Sequence, residues 1–226
     1  MSAIHNINWQ VITDSNQISL PETPFVDIYV IPVSGNIGLL SKEAILSDEE
    51  IIYTDSFLKE TDRATKKISR IAIREILSAL SKIPAEKIAI RKNNFGKPYW
   101  DTINAIHFNT SDTTDAIMLG VSSAQIGVDI EFNKMSFDYK DVVADYFNEQ
   151  EVKIINESLN PGQTFYQLWV RKEALTKAIG MGLDVLAIDE TGWDIQLYQD
   201  DSYSLAFAIP EGNYAIRFFK YLATKF

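Results

Sequence analysis

The spacing of apolar and polar positions changes period several times along the chain, and each change marks an element. VDIYVIPV (26–33) is an almost unbroken run of β-branched and aromatic residues, the pattern of a buried strand. Ser47-Asp48-Glu49-Glu50 sets a hydroxyl three residues ahead of a glutamate, which predicts a capped helix start. Over roughly 60–82, Ala64, Ile68, Ile71, Ala72, Leu77 and Leu80 keep near-helical spacing, so a long amphipathic helix is expected there. AIMLGV (116–121) and IGVDIEF (126–132) read as consecutive strands joined by the polar turn Ser122-Ser123-Ala124-Gln125. A helical stretch around 138–157 precedes a further helix whose last turns are WVRKEALTKAIGMGL (169–183), stopped by Gly180 and Gly182. YSLAFAIP (203–210) and YAIRFF (214–219) return to strand patterns on either side of Glu211-Gly212-Asn213. Strands and helices mixed without a regular βαβ rhythm predict an α+β fold.

The 226 residues suffice for one large domain or two small ones with ample core. No apolar run reaches the ~18 residues of a bilayer span, so no membrane segment is expected. MSAIHNINWQVITDSNQ has neither a basic flank nor an apolar signal core, so no export signal is expected either. There are no cysteines, which removes disulfides, thiolate nucleophiles and cysteine zinc sites and suits a reducing cytoplasm. With only His5 and His107, a histidine metal cluster or a Ser-His-Asp triad is not expected. The net charge of −10 argues against general nucleic-acid binding. The charge is uneven, however: residues 59–97 hold 11 Lys/Arg against 4 Asp/Glu, leaving this segment at +7 and the rest at −17. A local basic surface on an acidic chain is either a solvated helix face or a place for a compact anion or an acidic partner.

Two places carry chemistry. In GVDIE, strand alternation turns Asp129 and Glu131 to one face and Val128 and Ile130 to the other. Adjacent carboxylates repel unless a positive charge sits between them, which Mg²⁺ supplies; otherwise the pair lies on an exposed strand face near an edge. In the helix ending at Gly180, Phe165, Leu168, Trp169, Leu175 and Ile179 fall in one arc, with Lys172 near its middle. An ammonium there needs an anion, or a stem long enough to reach water. Glu173 and Lys177, four residues apart, form at least a surface ion pair. A carboxylate and two lysines beside a carboxylate pair suited to Mg²⁺ would make a pyrophosphate site.

GVDIE, about forty residues, then WVRKEALTKAIGMGL: this paired signature resembles the 4′-phosphopantetheinyl transferases, in length the surfactin-synthetase-activating type. SRIAIREIL (69–77), NNFGKPYW (93–100), HFNTSD (107–112) and YFNEQEV (146–152) stand in the expected order, so the resemblance spans roughly 60–185. It implies transfer of the phosphopantetheine arm of coenzyme A to a serine of an apo carrier protein, releasing adenosine 3′,5′-bisphosphate. By the same resemblance Asp129, Glu131 and Glu173 would hold Mg²⁺, and Lys172 and Lys177 would contact the pyrophosphate. Glu173 or a metal-bound water would take the serine proton. Lys97, Arg74 and Ser111 match positions that line the nucleotide, and Trp169 is expected to pack beneath the motif. A monomer of two α+β halves related by a pseudo-twofold is implied, with the division at 122/123 and the site in the cleft between them. The first half would bring the basic residues and the second the metal ligands.

One position departs from the pattern. The family usually has Ser-His where this chain has Ser111-Asp112, and the histidine is taken to help bind the 3′-phosphate. A carboxylate facing a phosphate would repel it. Asp112 either caps the turn in NTSDTTD, weakens coenzyme A binding, or marks lost activity. A non-catalytic module that binds carrier protein or coenzyme A is the competing reading, though the complete Asp129, Glu131 and Glu173 set favours the transferase.

Overall fold

The computed structural model describes residues 2–100, 106–134, 138–180 and 189–223. In chain order the strands and helices are β1 (Ser2–Ala3), β2 (Gln10–Ile12), β3 (Phe25–Pro32), α1 (Asp48–Asp55), α2 (Glu60–Ser81), β4 (Ile90–Lys92), β5 (Pro98–Trp100), β6 (His107–Asp112) and β7 (Ala116–Ser122). They continue with β8 (Gly127–Phe132), α3 (Lys140–Tyr146), α4 (Glu149–Glu157), α5 (Pro161–Ile179), β9 (Trp193–Gln199), β10 (Tyr203–Pro210) and β11 (Ala215–Tyr221). A long 3₁₀ segment, Ser34–Ile45, connects β3 to α1. No helix among the described residues is long and apolar enough to cross a membrane.

Two sheets carry the α+β fold. One is ordered β2-β11-β3-β7-β6 and the other β1-β9-β10-β8, while β4 and β5 form a separate hairpin. The alternation of side chains stacks them. From β3 and β7, Tyr29, Ile31, Ile117 and Leu119 join Ile68, Ile71 and Leu77 of α2 in one core. Their neighbours Val26, Ile28 and Met118 face the other way and meet Val128, Ile130, Leu205 and Phe207 of β8 and β10. The remaining face of β10 offers Ala206 and Ala208 to Val170, Ala174 and Ala178 of α5. The layers therefore run α2, five-stranded sheet, four-stranded sheet, α5. Strands β3 and β7 are covered on both faces, which is why their sequences read as continuous apolar runs.

The turn at 122–125 separates β7 from β8, and these strands lie in different sheets. The halves are nonetheless interleaved: β11 pairs in parallel with β3, Phe218 opposite Ile28, and β1 pairs with β9. The expected division at 122/123 is thus crossed by both terminal strands. The helical stretch expected at 138–157 is two helices, because Phe147 leaves the helical region and Asn148 starts a new one with a capping box to Glu151. Helix α2 ends at Lys82, which takes the left-handed conformation (φ 62°) usually left to glycine. Gly180 caps α5 as expected, whereas Gly182 lies outside the described residues.

Candidate active site

Strand β8 and helix α5 build the site between them, and one glycine sets their distance. A Cβ on Gly127 would stand 2.0 Å from the carbonyl oxygen of Ala174 and 2.2 Å from the amide nitrogen of Ala178. Alanines on α5 and β10 complete this close approach. With Val128 and Ile130 turned into the inter-sheet core, Asp129 and Glu131 necessarily face α5, where Glu173 and Lys177 lie one turn apart. The first half contributes through β6: buried Asn109 accepts the Val128 amide at 2.9 Å, which ties β6 to β8. Two residues further, Ser111 reaches the cluster.

Lys177 is the hub. Its Nζ lies 2.6 Å from Asp129 Oδ1 and 3.0 Å from Glu173 Oε2, and donates to Ser111 Oγ at 3.2 Å. Ser111 Oγ in turn donates to Asp129 Oδ1 at 2.7 Å. Asp129 is 1% exposed, and its second oxygen, Oδ2, is buried with no hydrogen-bond partner. A buried carboxylate oxygen without a donor is costly, and a cation would relieve it. Glu131 is pushed up to about 7 by burial and by the charges of Asp129 and Glu173, offset by the Trp169 indole hydrogen bond and Lys177. Burial and Asp129 also raise Glu173, against the pull of Lys177. Burial disfavours the Lys177 ammonium, but Asp129 and Glu173 outweigh it and hold its pKa above the ordinary lysine value.

Three neighbouring carboxylates, Asp129, Glu131 and Glu173, form a donor set suited to a hard divalent cation. Yet no group of three or more His, Cys, Asp or Glu among the described residues stands in a metal-holding arrangement. The Lys177 ammonium between Asp129 and Glu173 accounts for this: it serves as their counter-ion. Asp129, Glu131 and Glu173 are the residues that would hold Mg²⁺, and Lys177 would have to yield part of its place.

The other residues singled out in the sequence have partners within the protein. Lys172 Nζ donates to the Tyr146 carbonyl and to Glu151, each at 2.8 Å, and lies 4.9 Å from the centre of the Phe147 ring. It fastens α3 and α4 to α5, and Glu151 is an internal anion for a lysine in the apolar stripe. Arg74 is 3% exposed, bound to Glu50 at 2.8 Å and to the carbonyls of Ala85 and Ile88. It braces α1, α2 and the chain leading to β4, where a nucleotide contact was expected. Lys97 Nζ donates to the carbonyls of Ala178 (2.9 Å) and Ile126 (3.1 Å), and burial lowers its pKa to about 8. Asn93, also in this hairpin, donates to the Gly180 carbonyl at 3.4 Å, so the hairpin grips the end of α5. Asp112 makes a two-oxygen contact with Lys66, at 2.7 and 2.8 Å. Trp169 packs as expected, stacked on Phe165 at 6.1 Å, and also bonds to Glu131.

Sequence reasoning missed Asn109, Gly127 and Lys66. A polar residue between Phe108 and the chemistry-bearing Ser111 was a legible sign for Asn109, and a glycine opening a strand was one for Gly127. Nothing in the spacing pairs Lys66 with Asp112, 46 residues away.

The chain is similar to known proteins in two adjoining blocks. The sequence signature of the 4′-phosphopantetheinyl transferase superfamily matches residues 125–224. That of the 4′-phosphopantetheinyl transferase N-terminal region matches residues 38–124. The chain is 34% identical over 118 residues to the 4′-phosphopantetheinyl transferase gsp of Aneurinibacillus migulanus, covering 51% of this chain and 48% of that protein. It is 29% identical over 172 residues to a 4′-phosphopantetheinyl transferase of Bacillus subtilis, 75% of this chain and 74% of the relative. The L-aminoadipate-semialdehyde dehydrogenase-phosphopantetheinyl transferase of Rattus norvegicus is 27% identical over 154 residues, 61% and 49% of the two chains. The chain thus matches about half the length of the first and third of these relatives and three quarters of the second. Taken together, the two signatures run from residue 38 to 224 and meet in the turn between β7 and β8. The chain belongs to the 4′-phosphopantetheinyl transferase superfamily.

Proposed function

We propose that this protein transfers the 4′-phosphopantetheine arm of coenzyme A to a serine of an apo carrier protein and releases adenosine 3′,5′-bisphosphate. The observation that carries the reading is the Asp129, Glu173 and Lys177 cluster, with the partnerless Asp129 Oδ2 and Glu131 beside it. Support also comes from relatives named as phosphopantetheinyl transferases.

The serine oxygen attacks the phosphorus nearer the pantetheine, a P–O bond to the bridging oxygen breaks, and the bisphosphate leaves with the electron pair. Asp129, Glu131 and Glu173 would hold Mg²⁺, which would supply charge neutralisation at the pyrophosphate. Lys177 donates to the same oxygens and meets the charge that grows on the leaving group. Glu173 accepts the serine proton, and burial and Asp129 increase its affinity for it. Ser111 orients Asp129 through its hydrogen bond. Lys97 and Arg74 support the nucleotide side indirectly, by holding the hairpin and α2.

The test is release of adenosine 3′,5′-bisphosphate from coenzyme A, followed chromatographically with Mg²⁺ and an apo carrier protein. Release that needs the carrier is expected; binding of coenzyme A with no release would favour a non-catalytic module.

A further inference from the structure

On the face of the four-stranded sheet that meets α5, a ribbon of buried hydrogen bonds crosses from helix to sheet and ends beside Glu131. Ser204 of β10 stands opposite Glu131 of β8, and Gln199 of β9 stands opposite Ser204. Leu205 turns to the inter-sheet core and Ala206 to α5, so Ser204 shares the face of Glu131 only if the strands alternate, as they do here. Gln167 of α5 donates to Gln199 Oε1. Gln199 Nε2 donates to the Gln163 carbonyl at 3.2 Å and to Ser204 Oγ at 2.5 Å. Ser204 Oγ donates in turn to Asn133 Oδ1 at 2.8 Å. Ser204, Gln199 and Asn133 are all buried. Each link fixes the next, so the run has one direction, from α5 toward the end of β8.

The direction matters because a serine hydroxyl has one proton to give. Side chains opposite one another on antiparallel strands start about 5 Å apart, and an ionised carboxylate is a stronger acceptor than a carboxamide. Glu131 is therefore the natural partner for Ser204, yet the proton goes to Asn133. Asn133 has only its carbonyl oxygen to offer there. Its Nδ2 is held by the Asp200 carbonyl at 2.9 Å and its backbone N–H by the Ser202 carbonyl at 2.7 Å. Glu131 keeps the Trp169 indole as a donor and gains none from Ser204.

We propose that Asn133 is a positioning residue for the metal-holding set: by taking the Ser204 proton it keeps the Glu131 carboxylate available to a divalent cation. This rests on the transferase reading above, in which Glu131 would hold Mg²⁺. Without Asn133 the hydroxyl turns to Glu131 and competes with the cation for the same oxygens.

The experiment is calorimetric titration of the whole protein with MgCl₂ at about pH 8, above the Glu131 pKa of about 7. It compares wild type, Asn133→Ala, Ser204→Ala and the double variant. Asn133→Ala is expected to weaken Mg²⁺ binding about five- to tenfold. Ser204→Ala has no proton to turn toward Glu131, so it should stay within about twofold of wild type. The double variant should recover to that level, because the competing hydroxyl is gone. If Asn133 only braced the end of β8, the double variant would bind more weakly than either single one. Circular dichroism and thermal melting identify variants that lose the fold, for which Asn133→Leu, close in shape and without an acceptor, is the substitute. Unchanged affinity in folded Asn133→Ala, or a double variant no tighter than Asn133→Ala, overturns the proposal and leaves the transferase reading intact. Wild type that binds no Mg²⁺ also overturns it, and carrier-dependent release of adenosine 3′,5′-bisphosphate then decides the transferase reading separately.

Discussion

Gly127 touches the backbone of α5: a Cβ there would be 2.0 Å from the carbonyl oxygen of Ala174. Backbone against backbone leaves no flexible atom to give way, so the helix must move. Because β8 carries Asp129 and α5 carries Glu173 and Lys177, that movement pulls the cluster apart. Gly127→Ala is therefore expected to destabilise the protein by about 3 kcal/mol or more. The folded fraction should have lost most coenzyme A binding. Denaturant unfolding with parallel titration checks this, and a stable, fully binding alanine variant would contradict it.

Lys172 and Lys177 are one and a half turns apart on α5 and serve different ends. Lys172 is held by Glu151 and the Tyr146 carbonyl, so Lys172→Met should lower stability by about 2–4 kcal/mol through the stranded Glu151. Its effect on turnover, measured below the melting range, should be small. Lys177→Met leaves Asp129 and Glu173 uncompensated and removes the group proposed to meet the leaving phosphate, and should lower kcat by about 10²-fold or more. Melting curves beside steady-state kinetics separate the two effects.

Arg74 is expected to be structural. Its guanidinium joins Glu50 on α1 to the carbonyls of Ala85 and Ile88, wholly inside the protein. Arg74→Ala should cost about 3–5 kcal/mol of stability, because half-buried Glu50 loses its guanidinium and the carbonyls of Ala85 and Ile88 lose their donor. Coenzyme A affinity of the folded variant should stay near that of wild type by calorimetry.

Glu131 links the site to pH. Its folded pKa of about 7 lies above the ordinary value of 4.5, so the folded state binds more protons than the unfolded chain between those limits. Stability from this group is intact below about pH 4.5 and is lost as pH rises through 7. The difference in melting temperature between wild type and Glu131→Gln should move in that direction over the window. Since a metal takes the ionised form, Mg²⁺ affinity should increase as pH rises from 6 to 8. A pH-independent difference and a flat Mg²⁺ affinity would refute the assignment.

Much of the fold was legible because burial imposes period. The apolar arc of Ile68, Ile71, Ala72 and Leu77 places α2 within a residue of its observed end, and the alternation in GVDIE turns Asp129 and Glu131 together toward α5. Contacts distant in sequence were less readable. Pairing of β11 with β3 joins residues some 190 apart, and nothing local in YAIRFF specifies it. Charged residues showed the same limit. Spacing marks Lys172, Arg74 and Lys97 as unusual, but whether a cation meets a substrate or an internal carbonyl depends on which chain segment packs above it. Glu151, Ala85 and Ala178 supply those internal partners. The Lys66 and Asp112 pair accounts for the aspartate that departs from the family pattern by giving it a partner from another element.

If the Asp129, Glu173 and Lys177 cluster carries phosphopantetheine transfer, the intact mass of a carrier protein records it. An apo carrier protein is incubated with coenzyme A, Mg²⁺ and either wild type or Glu173→Ala. A gain of one phosphopantetheine arm is expected with wild type and none with the variant, provided the variant melts near wild type. An unmodified carrier with wild type that binds coenzyme A, or equal modification by Glu173→Ala, would contradict it.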